Sequence, residues 1–145
     1  MKISTKGRYG LKAMVDLAVH SYNGCCISLK SIAERQGISE HYLEQLMAVL
    51  KKAGFIKSVR GAQGGYILNK NADSISVGDI LRALEGPLYF VECVGGETAK
   101  TGCGNSKCVN CVTKNVWEKI SNSVSEVVDS ISLKELAEDY NKIKL

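Results

Sequence analysis

The chain has no apolar run long enough to span a membrane, and its first four residues are polar and basic, unlike a signal peptide. These absences predict a cytosolic protein, in which cysteines are usually reduced, metal-bound or reactive instead of joined in structural disulfides. Internal repeats and low-complexity linkers are also missing, so the 145 residues suit one domain with an extension. Histidine is scarce, and we assign one of the two, His20, to a helix face.

The charge is unevenly distributed along the chain. Residues 1–70 carry 11 Lys and Arg against 4 Asp and Glu, a balance of +7, whereas residues 71–145 carry 8 against 11, a balance of −3. A basic first half indicates an anionic partner; nucleic acid is the leading candidate, and a solvated basic surface is the alternative. The sequence contains no motif that resembles a substrate pocket, so we expect a binding protein and not an enzyme.

Apolar spacing and capping residues predict four helices in the first part of the chain. The first covers roughly residues 5–22, and the next two begin after Ser28 and Ser39, which are good N-terminal caps. A capping box opens the fourth helix at Ser76, and this helix runs to about Glu85, just before a Gly-Pro stop.

The remainder of the chain predicts a hairpin, an irregular segment and a long helix. Two β-prone runs surround a glycine-rich turn within residues 55–68, which is typical of a hairpin. Residues 88–111 show little periodicity, and Ser132 opens a short last helix. Between them, apolar residues recur every three or four positions and predict a seam for dimerisation or for packing on the protein's own core. These residues are Trp117, Ile120, Val124, Val127 and Ile131.

The run Ala33-x3-Gly37-x-Ser39-x3-Leu43 has the arrangement of a helix-turn-helix, in which a small residue, a turn glycine and an apolar lock join two helices. The second helix of such a pair enters the major groove by its N-terminal end. That end carries Ser39, Glu40, His41, Tyr42, Glu44 and Gln45. Two core helices with a solvated polar face are the alternative. The hairpin favours DNA binding, because its tip holds Arg60 among glycines, as a wing close to DNA requires.

Four motifs resemble a single bacterial family. They are residues 1–11, Tyr42-Leu43-Glu44-Gln45-Leu46, Val59-Arg60-Gly61 with Gly64-Gly65-Tyr66, and Leu84-Glu85-Gly86-Pro87. Over most of its length the chain is similar to the Rrf-type winged-helix transcription regulators, which include IscR-like iron–sulfur regulators and CymR-like repressors of cysteine metabolism. The resemblance implies a mainly α-helical fold with a small β-hairpin wing, a winged helix-turn-helix followed by a long C-terminal dimerisation helix. It also implies a homodimer whose two winged heads bind a palindromic double-stranded DNA operator.

The resemblance also implies which residues contact DNA. Carried over residue by residue, the contacts are Ser39, His41, Tyr42, Glu44 and Gln45 in the recognition helix, Arg60, Gly61 and Gly64 in the wing, and Lys6 and Arg8 as phosphate contacts. In IscR-like members, a glutamate at the position of Glu44 helps to select the operator class. His41 stands where those members have a small hydroxyl residue, so we expect a different base preference.

Four of the six cysteines lie in one polar stretch, as Cys93, Cys103, Cys108 and Cys111. The last three are spaced C-x4-C-x2-C, as in one class of ferredoxin loop, and this indicates an iron–sulfur cluster. Zinc, which favours two tight cysteine pairs, and a thiol switch are the alternatives. A lone C-x-x-C redox pair would need a strand-to-helix setting that this part of the sequence lacks.

The family resemblance implies a [2Fe–2S] cluster, with Cys93 and Cys111 as outer ligands and Cys103 between them. IscR-like members add a histidine shortly after the third cysteine, at a position that is Lys114 here. Lysine cannot replace that ligand, so we expect Cys108 to be the fourth.

The same family offers a second interpretation, a CymR-like repressor of sulfur metabolism that acts with a cysteine-synthesis enzyme. Cys25-Cys26 precedes a run similar to CymR-like members, some of which carry a reversibly oxidised cysteine there; simple packing is the alternative. CymR-like members lack the loop cysteines and end in an isoleucine that can dock in the enzyme, whereas this chain ends Lys144-Leu145. A redox enzyme or electron carrier is a third interpretation, but it leaves the basic winged module unexplained.

These patterns together predict three functional segments. Residues 1–87 form the winged helix-turn-helix domain, residues 88–111 the cysteine-rich cluster-binding loop, and residues 112–145 the dimerisation helix and the C-terminal helix. Cluster occupancy is expected to bias the loop and the long helix, and so to change operator choice.

Overall fold

The computed structural model describes residues 2–95 and 111–144. These residues are mainly helical, with one two-stranded antiparallel sheet, as predicted. In chain order the elements are α1 (Thr5–His20), α2 (Leu29–Gln36), α3 (Glu40–Lys52), β1 (Ile56–Val59), β2 (Gly65–Leu68), α4 (Val77–Glu85), α5 (Glu92–Gly95), α6 (Lys114–Ser130) and α7 (Leu133–Lys144). Among the described residues, no helix combines the length and the apolar character needed to cross a membrane.

Two element predictions need correction. The first helix, predicted over roughly residues 5–22, ends at His20, because Ser21 already leaves the helical region of backbone conformation (φ −83°, ψ 64°). The segment without periodicity holds a short helix, α5, over Glu92–Gly95. One turn of helix is too short to produce a detectable apolar period.

The predicted capping residues do cap their helices. The Ser28 hydroxyl accepts a hydrogen bond from the Ser31 N–H at 3.1 Å, and it thereby starts α2. At the start of α4, Ser76 and Asp79 form the reciprocal capping box, each side chain accepting from the backbone N–H of the other at 3.0 Å. Each cap satisfies a first-turn group that has no partner within the helix.

One apolar core joins the first four helices to the last one. The large side chains with less than 2% exposure are Met14, Leu17, Ile32, Leu43, Leu46, Met47, Leu50, Ile56, Ile75, Ile80 and Leu133. Leu133 belongs to α7, so the C-terminal helix completes the core of the N-terminal part. Backbone hydrogen bonds reinforce this junction, since the Leu133 N–H donates to the Ile75 carbonyl and the Val77 N–H donates to the Ile131 carbonyl.

A buried carboxylate locks α2 onto α1. Asp16 is 3% exposed and accepts two hydrogen bonds from Arg35, at 2.9 Å from Nε and 2.7 Å from a terminal nitrogen. Gln36 donates a third at 3.0 Å. The hydrogen bonds to Asp16 raise the pKa of Arg35 above its ordinary value, outweighing desolvation. The paired charge makes the burial of Asp16 tolerable and sets the orientation of α2, which precedes the recognition helix.

Candidate nucleic-acid interface and cysteine site

The α2–α3 pair forms the predicted helix-turn-helix. Ala33 and Leu43 are buried where the two helices meet, with 1% and 0% exposure. Gly37 ends α2 in the left-handed conformation (φ 65°), which glycine adopts at little cost. Ser39 then starts α3 by accepting a hydrogen bond from the Tyr42 N–H at 3.1 Å. Small residue, turn glycine and apolar lock therefore hold the positions that the sequence pattern assigned to them.

Three of the predicted base-contacting residues share an exposed face of α3. His41, Glu44 and Gln45 are all exposed, and Gln45 Nε2 lies 3.3 Å from His41 Nε2. The Gln45 amide can donate to the imidazole when that ring nitrogen is unprotonated. These side chains present donors and acceptors of the kinds that read base edges in a major groove.

Two other predicted contact residues of α3 also have structural partners. The Ser39 hydroxyl is used as the helix cap. Tyr42 is half-buried, and its ring meets the ring of Tyr9 edge-on, with centroids 6.3 Å apart and planes at 87°. The pair places α1 directly beside the amino end of the recognition helix. This aromatic contact was not foreseen, because the two tyrosines are far apart in sequence.

The hairpin has the geometry of a wing. β1 and β2 pair antiparallel from Ile56–Leu68 to Val59–Gly65, and the backbone of Tyr66 also pairs with Ile27 at 2.8 and 2.9 Å. The hydroxyl of Ser58 accepts a hydrogen bond from the Lys51 ammonium at 2.7 Å, which ties β1 to the end of α3.

The tip of the wing exposes Arg60 beside two glycines that the turn requires. Gly61 has φ 118°, and its carbonyl accepts from the Gly64 N–H at 3.0 Å. A side chain at Gly64 would collide with the carbonyl of Val59. The glycines keep the tip narrow, so a duplex can approach the backbone closely while the Arg60 side chain stays free of helix packing.

Wing and recognition helix lie close enough to interact electrostatically. The pKa of Tyr66 in β2 is raised, first by burial and then by the negative charge of Glu44 in α3. Glu44 therefore lies at the junction of the two elements that the helix-turn-helix pattern assigns to DNA.

The predicted phosphate contacts Lys6 and Arg8 are exposed in the first turn of α1. This turn is held by Glu85, whose carboxylate accepts from the Ser4 N–H at 2.9 Å, from the Gly7 N–H at 3.0 Å and from the Ser4 hydroxyl. A side chain at Gly7 would overlap Glu85, so the glycine permits the contact. Sequence reasoning missed Glu85, because its partners lie about 80 residues away and no local spacing links them.

Two of the four predicted ligand cysteines lie within the described residues. Cys93 is on α5 and Cys111 lies just before α6; both are half-buried. Cys103 and Cys108 lie outside the described residues. Within residues 2–95 and 111–144, no three His, Cys, Asp or Glu side chains come together as a metal site.

The environment of Cys111 favours its thiolate. Its pKa is lowered chiefly by the hydroxyl of Thr113, whose oxygen is 3.1 Å from the sulfur, and then by the backbone N–H groups and the charge of Lys114. The thiolate is the form that binds metals. The Lys114 ammonium itself lies 3.8 Å from a carboxylate oxygen of Glu118, so it is engaged in an ion pair.

The second cysteine pair lies beside the wing. Cys25 is exposed, and the half-buried Cys26 donates its thiol hydrogen to the Gln63 carbonyl at the wing tip, at 2.8 Å. The two thiols are free, as expected for adjacent cysteines. Cys26 is thus connected directly to the tip that carries Arg60.

The long helix α6 has two distinct faces. One face contacts the rest of the chain: the buried Ser121 hydroxyl accepts from the Phe90 N–H at 3.2 Å, and Asp129 binds Arg82 of α4 at 2.6 and 2.9 Å. The predicted apolar seam lies to the side of this face. Its member Val127 is 58% exposed, and the neighbouring Val116 is 48% exposed. The other four seam residues are half-buried, and Ile131, just after the helix, packs against the chain's own apolar cluster. The seam is therefore incompletely covered by the described part of its own chain.

Helix-turn-helix, wing and basic first turn together define a winged-helix, DNA-binding transcription regulator. The chain belongs to the Rrf2 family, whose model, described as "Iron-dependent Transcriptional regulator", matches residues 3–139. The family predicted from the sequence motifs is confirmed.

Individual relatives fall into two groups of regulators. The chain is 47% identical to the HTH-type transcriptional regulator CymR of Bacillus subtilis, over 94% of this chain and 90% of the relative. It is 42% identical to the HTH-type transcriptional regulator IscR of Erwinia tasmaniensis, over 94% of this chain and 78% of the relative. These relatives are transcription regulators and not enzymes, in agreement with the sequence prediction.

The similar solved structures also include both CymR and IscR regulators. The structure of CymR, "the Global Cysteine Regulator of B. subtilis", has a TM-score of 0.76 and 46% identity, covering 95% of this chain and 97% of that one. The structure of T. potens IscR has a TM-score of 0.77 and 50% identity, covering 100% of this chain and 92% of that one. Both similarities support the winged-helix fold without separating the two branches.

Proposed function

We propose that this chain is a homodimeric, IscR-like regulator that senses iron–sulfur cluster or redox status through its cysteine-rich segment. The observation that carries the proposal is the placement of Cys93 on α5 and of Cys111 just before α6, the helix that also bears the apolar seam. A metal-binding group is thereby attached to the element proposed to join two subunits.

DNA binding is assigned to the surface formed by α3, the wing tip and the first turn of α1. His41, Glu44 and Gln45 face the groove, and Arg60 with the backbone of Gly61 and Gly64 approaches the duplex from the wing. Lys6 and Arg8 contact phosphates, while Ser39 and Tyr42 hold the end of α3 that enters the groove. The exposure of the charged side chains and the narrow glycine tip support these assignments.

Dimerisation is assigned to the seam of α6. A helix face with a valine 58% exposed leaves apolar area in water, and a second copy of the same seam would remove it. In functional terms, residues 1–87 then bind DNA, residues 88–111 hold the cluster and residues 112–145 join the subunits. α7 within the last segment also packs in the core beneath α1.

The cysteine residues fit a [2Fe–2S] cluster. Cys93 and Cys111 bracket the segment, and the lowered pKa of Cys111 supplies a thiolate without a nearby histidine. Lysine stands at position 114, where IscR-like members have a histidine ligand, and this favours Cys108, together with Cys103, for the remaining positions. When bound, such a cluster supplies a redox-active centre that links several points of the chain.

The test is to purify the protein anaerobically and to assay iron, sulfide and zinc beside the visible spectrum. We expect a brown protein with iron and sulfide in equal amounts and no stoichiometric zinc. Cys103→Ala and Cys111→Ala should lose the colour but remain dimeric and still bind some DNA with a changed ranking of operators. Cys108→Ala should bleach or become air-sensitive if Cys108 is the fourth ligand, and Cys25→Ala is the matched control. A colourless wild type that contains zinc or no metal would contradict the cluster.

A second candidate function is thiol-based regulation of the CymR type. The specific observation is the Cys26 hydrogen bond to the wing tip, since oxidation of that sulfur would remove its donor hydrogen and alter the tip. A structure of Staphylococcus aureus CymR in "oxidized form" has a TM-score of 0.72 and 46% identity to this chain. Under this alternative, a cysteine-synthesis enzyme is the proposed partner. Peroxide should then weaken operator binding by wild type but not by Cys25→Ser/Cys26→Ser, with no dependence on iron.

A further inference from the structure

Glu85 caps a helix to which it is not connected in sequence. It is the last residue of α4, and its carboxylate accepts three hydrogen bonds from Ser4 and Gly7 at the start of α1. The first N–H groups of a helix have no partner within it. The Gly7 N–H is shared between Glu85 at 3.0 Å and the hydroxyl of the capping residue Ser4 at 3.4 Å, and Glu85 also holds Ser4 itself. The carboxylate therefore fixes the capping residue of α1 in place.

The start of α1 lies at the DNA-reading end of the molecule. Lys6 and Arg8 are exposed in the turn that Glu85 caps, and Tyr9 in the next position stacks edge-on against Tyr42 of α3. The basic turn is thus fixed at both ends, by Glu85 on one side and by the recognition helix on the other.

We propose that Glu85 is a positioning residue for DNA binding, holding the first turn of α1 where Lys6 and Arg8 reach the phosphate backbone. The inference rests on the proposed function, because it deepens the assignment of those two side chains.

The element that carries Glu85 is itself held rigidly. One turn earlier in α4, Arg82 makes two hydrogen bonds to Asp129 of α6, and a side chain at Gly78 would collide with that same aspartate. On the α1 side, a side chain at Gly10 would overlap Leu84. Close packing on both sides leaves the carboxylate little freedom, as a positioning role requires.

The rival explanation is that Glu85 only stabilises the fold. The two explanations differ in the salt dependence of DNA binding, because each lost phosphate contact lowers the slope of log K against log salt by about 0.9. In a protein that is only destabilised, fewer molecules are folded, but those that are folded bind DNA with the same slope of log K against log salt. Lys6 and Arg8 from two subunits correspond to a slope change of about 2–4.

The experiment compares Glu85→Gln, which keeps an acceptor at the same reach, with Glu85→Asp, which keeps the charge but is shorter. The probe is an operator selected from random duplex DNA by the full-length wild-type protein, titrated at several salt concentrations. We expect Glu85→Gln to bind within about threefold of wild type with the same slope. Glu85→Asp and Glu85→Ala should lose about tenfold in operator affinity at low salt and should show a smaller slope of log K against log salt. In either variant, the further substitutions Lys6→Ala and Arg8→Ala should not lower the affinity any more.

The inference would be overturned if Glu85→Asp bound the operator like wild type and Glu85→Gln bound it like Glu85→Ala. The charge of the side chain, and not its length, would then determine binding. An unchanged slope in Glu85→Asp, with Lys6→Ala/Arg8→Ala still reducing it, would also overturn it while leaving the DNA contacts intact. A wild-type protein that selects no operator would instead overturn the proposed function, and this inference with it.

Discussion

At the scale of single residues, the acidity of Cys111 is controlled by its neighbours in sequence. The Thr113 hydroxyl is the largest cause of its lowered pKa, ahead of two backbone N–H groups and the Lys114 charge. All of these favour the thiolate, the reactive form of cysteine. Burial opposes them and ranks below all three hydrogen bonds though above the Lys114 charge, and the net direction of the pKa is downward.

Replacing Thr113 with Val should raise the pKa of Cys111 towards its ordinary value. Less thiolate is then present at about pH 7.5, so alkylation by iodoacetamide should slow by roughly two- to fivefold. The measurement is mass spectrometry of the Cys111 peptide from metal-free protein. Thr113→Ser keeps the hydroxyl and should react like wild type; equal rates for Val and Ser would contradict this assignment.

Arg60→Ala should weaken operator binding because its side chain is the exposed cation of the wing tip. The loss should be about 1–3 kcal/mol if Arg60 contacts a base edge, and a contact to phosphate alone would instead show as a salt slope reduced by about 1. Titration at a fixed salt concentration measures the loss of binding free energy, and titrations at several salt concentrations measure the slope. Lys134→Ala removes the same charge from α7 and should have little effect, while tight binding by Arg60→Ala would refute the wing assignment.

At the scale of secondary-structure elements, α6 uses two neighbouring surfaces: one contacts the rest of its own chain, and the other is the apolar seam. One face bonds to α4 and to the segment before α5, through Asp129 and Ser121. The seam lies to the side of that face, with Val127 mostly in solvent. A substitution there can disturb association without disturbing the fold of the single chain.

Val127→Asp should therefore give a folded monomer. A carboxylate in an apolar seam loses its water without a partner, which disfavours the dimer strongly. Sedimentation should show the monomer mass with an unchanged circular dichroism spectrum, and operator affinity should fall because two half-sites are no longer joined. Asn115→Asp, at an exposed position in the first turn of α6 and away from the seam, is the matched control; a dimeric Val127→Asp would place the subunit contact elsewhere.

Prediction from sequence succeeded where the physical cause is local. Capping by Ser39 and Ser76 and the turn at Gly37 involve groups within a few residues, so spacing alone reveals them. It failed to find the Glu85 cap, whose partners lie about 80 residues away. The seam of α6 was predicted from apolar residues that recur every three or four positions. That spacing does not specify whether the seam is covered by the same chain or by a second subunit.

At the scale of the whole molecule, the first and last parts of the chain share one core. Leu133 of α7 is fully buried among side chains of α1 to α4. In sequence, the cysteine-rich segment is flanked by α4 and α6, which bond to each other through Arg82 and Asp129. We expect the chain to unfold in one transition, not as separate head and tail.

Leu133→Ala should lower the free energy of unfolding by about 2–5 kcal/mol, the usual cost of a cavity at a buried leucine. Urea unfolding at fixed protein concentration, followed by circular dichroism and by Trp117 fluorescence, should shift both signals together. Leu136→Ala, at a half-buried position of the same helix, should cost less. Separate transitions for the two signals would show that α6, which carries Trp117, does not unfold together with the common core.

The cap on α1 and the burial of Leu133 also constrain how the molecule is made. α1 is made before the residues that complete it, since Glu85 of its cap lies in α4 and its core partner Leu133 lies in α7. At about 5–20 residues per second, part of the apolar side of α1 stays uncovered for several seconds or more until α7 is made. The DNA-binding part is therefore complete only after α7, and a nascent chain stalled before α7 would be a target for chaperones rather than a competent regulator.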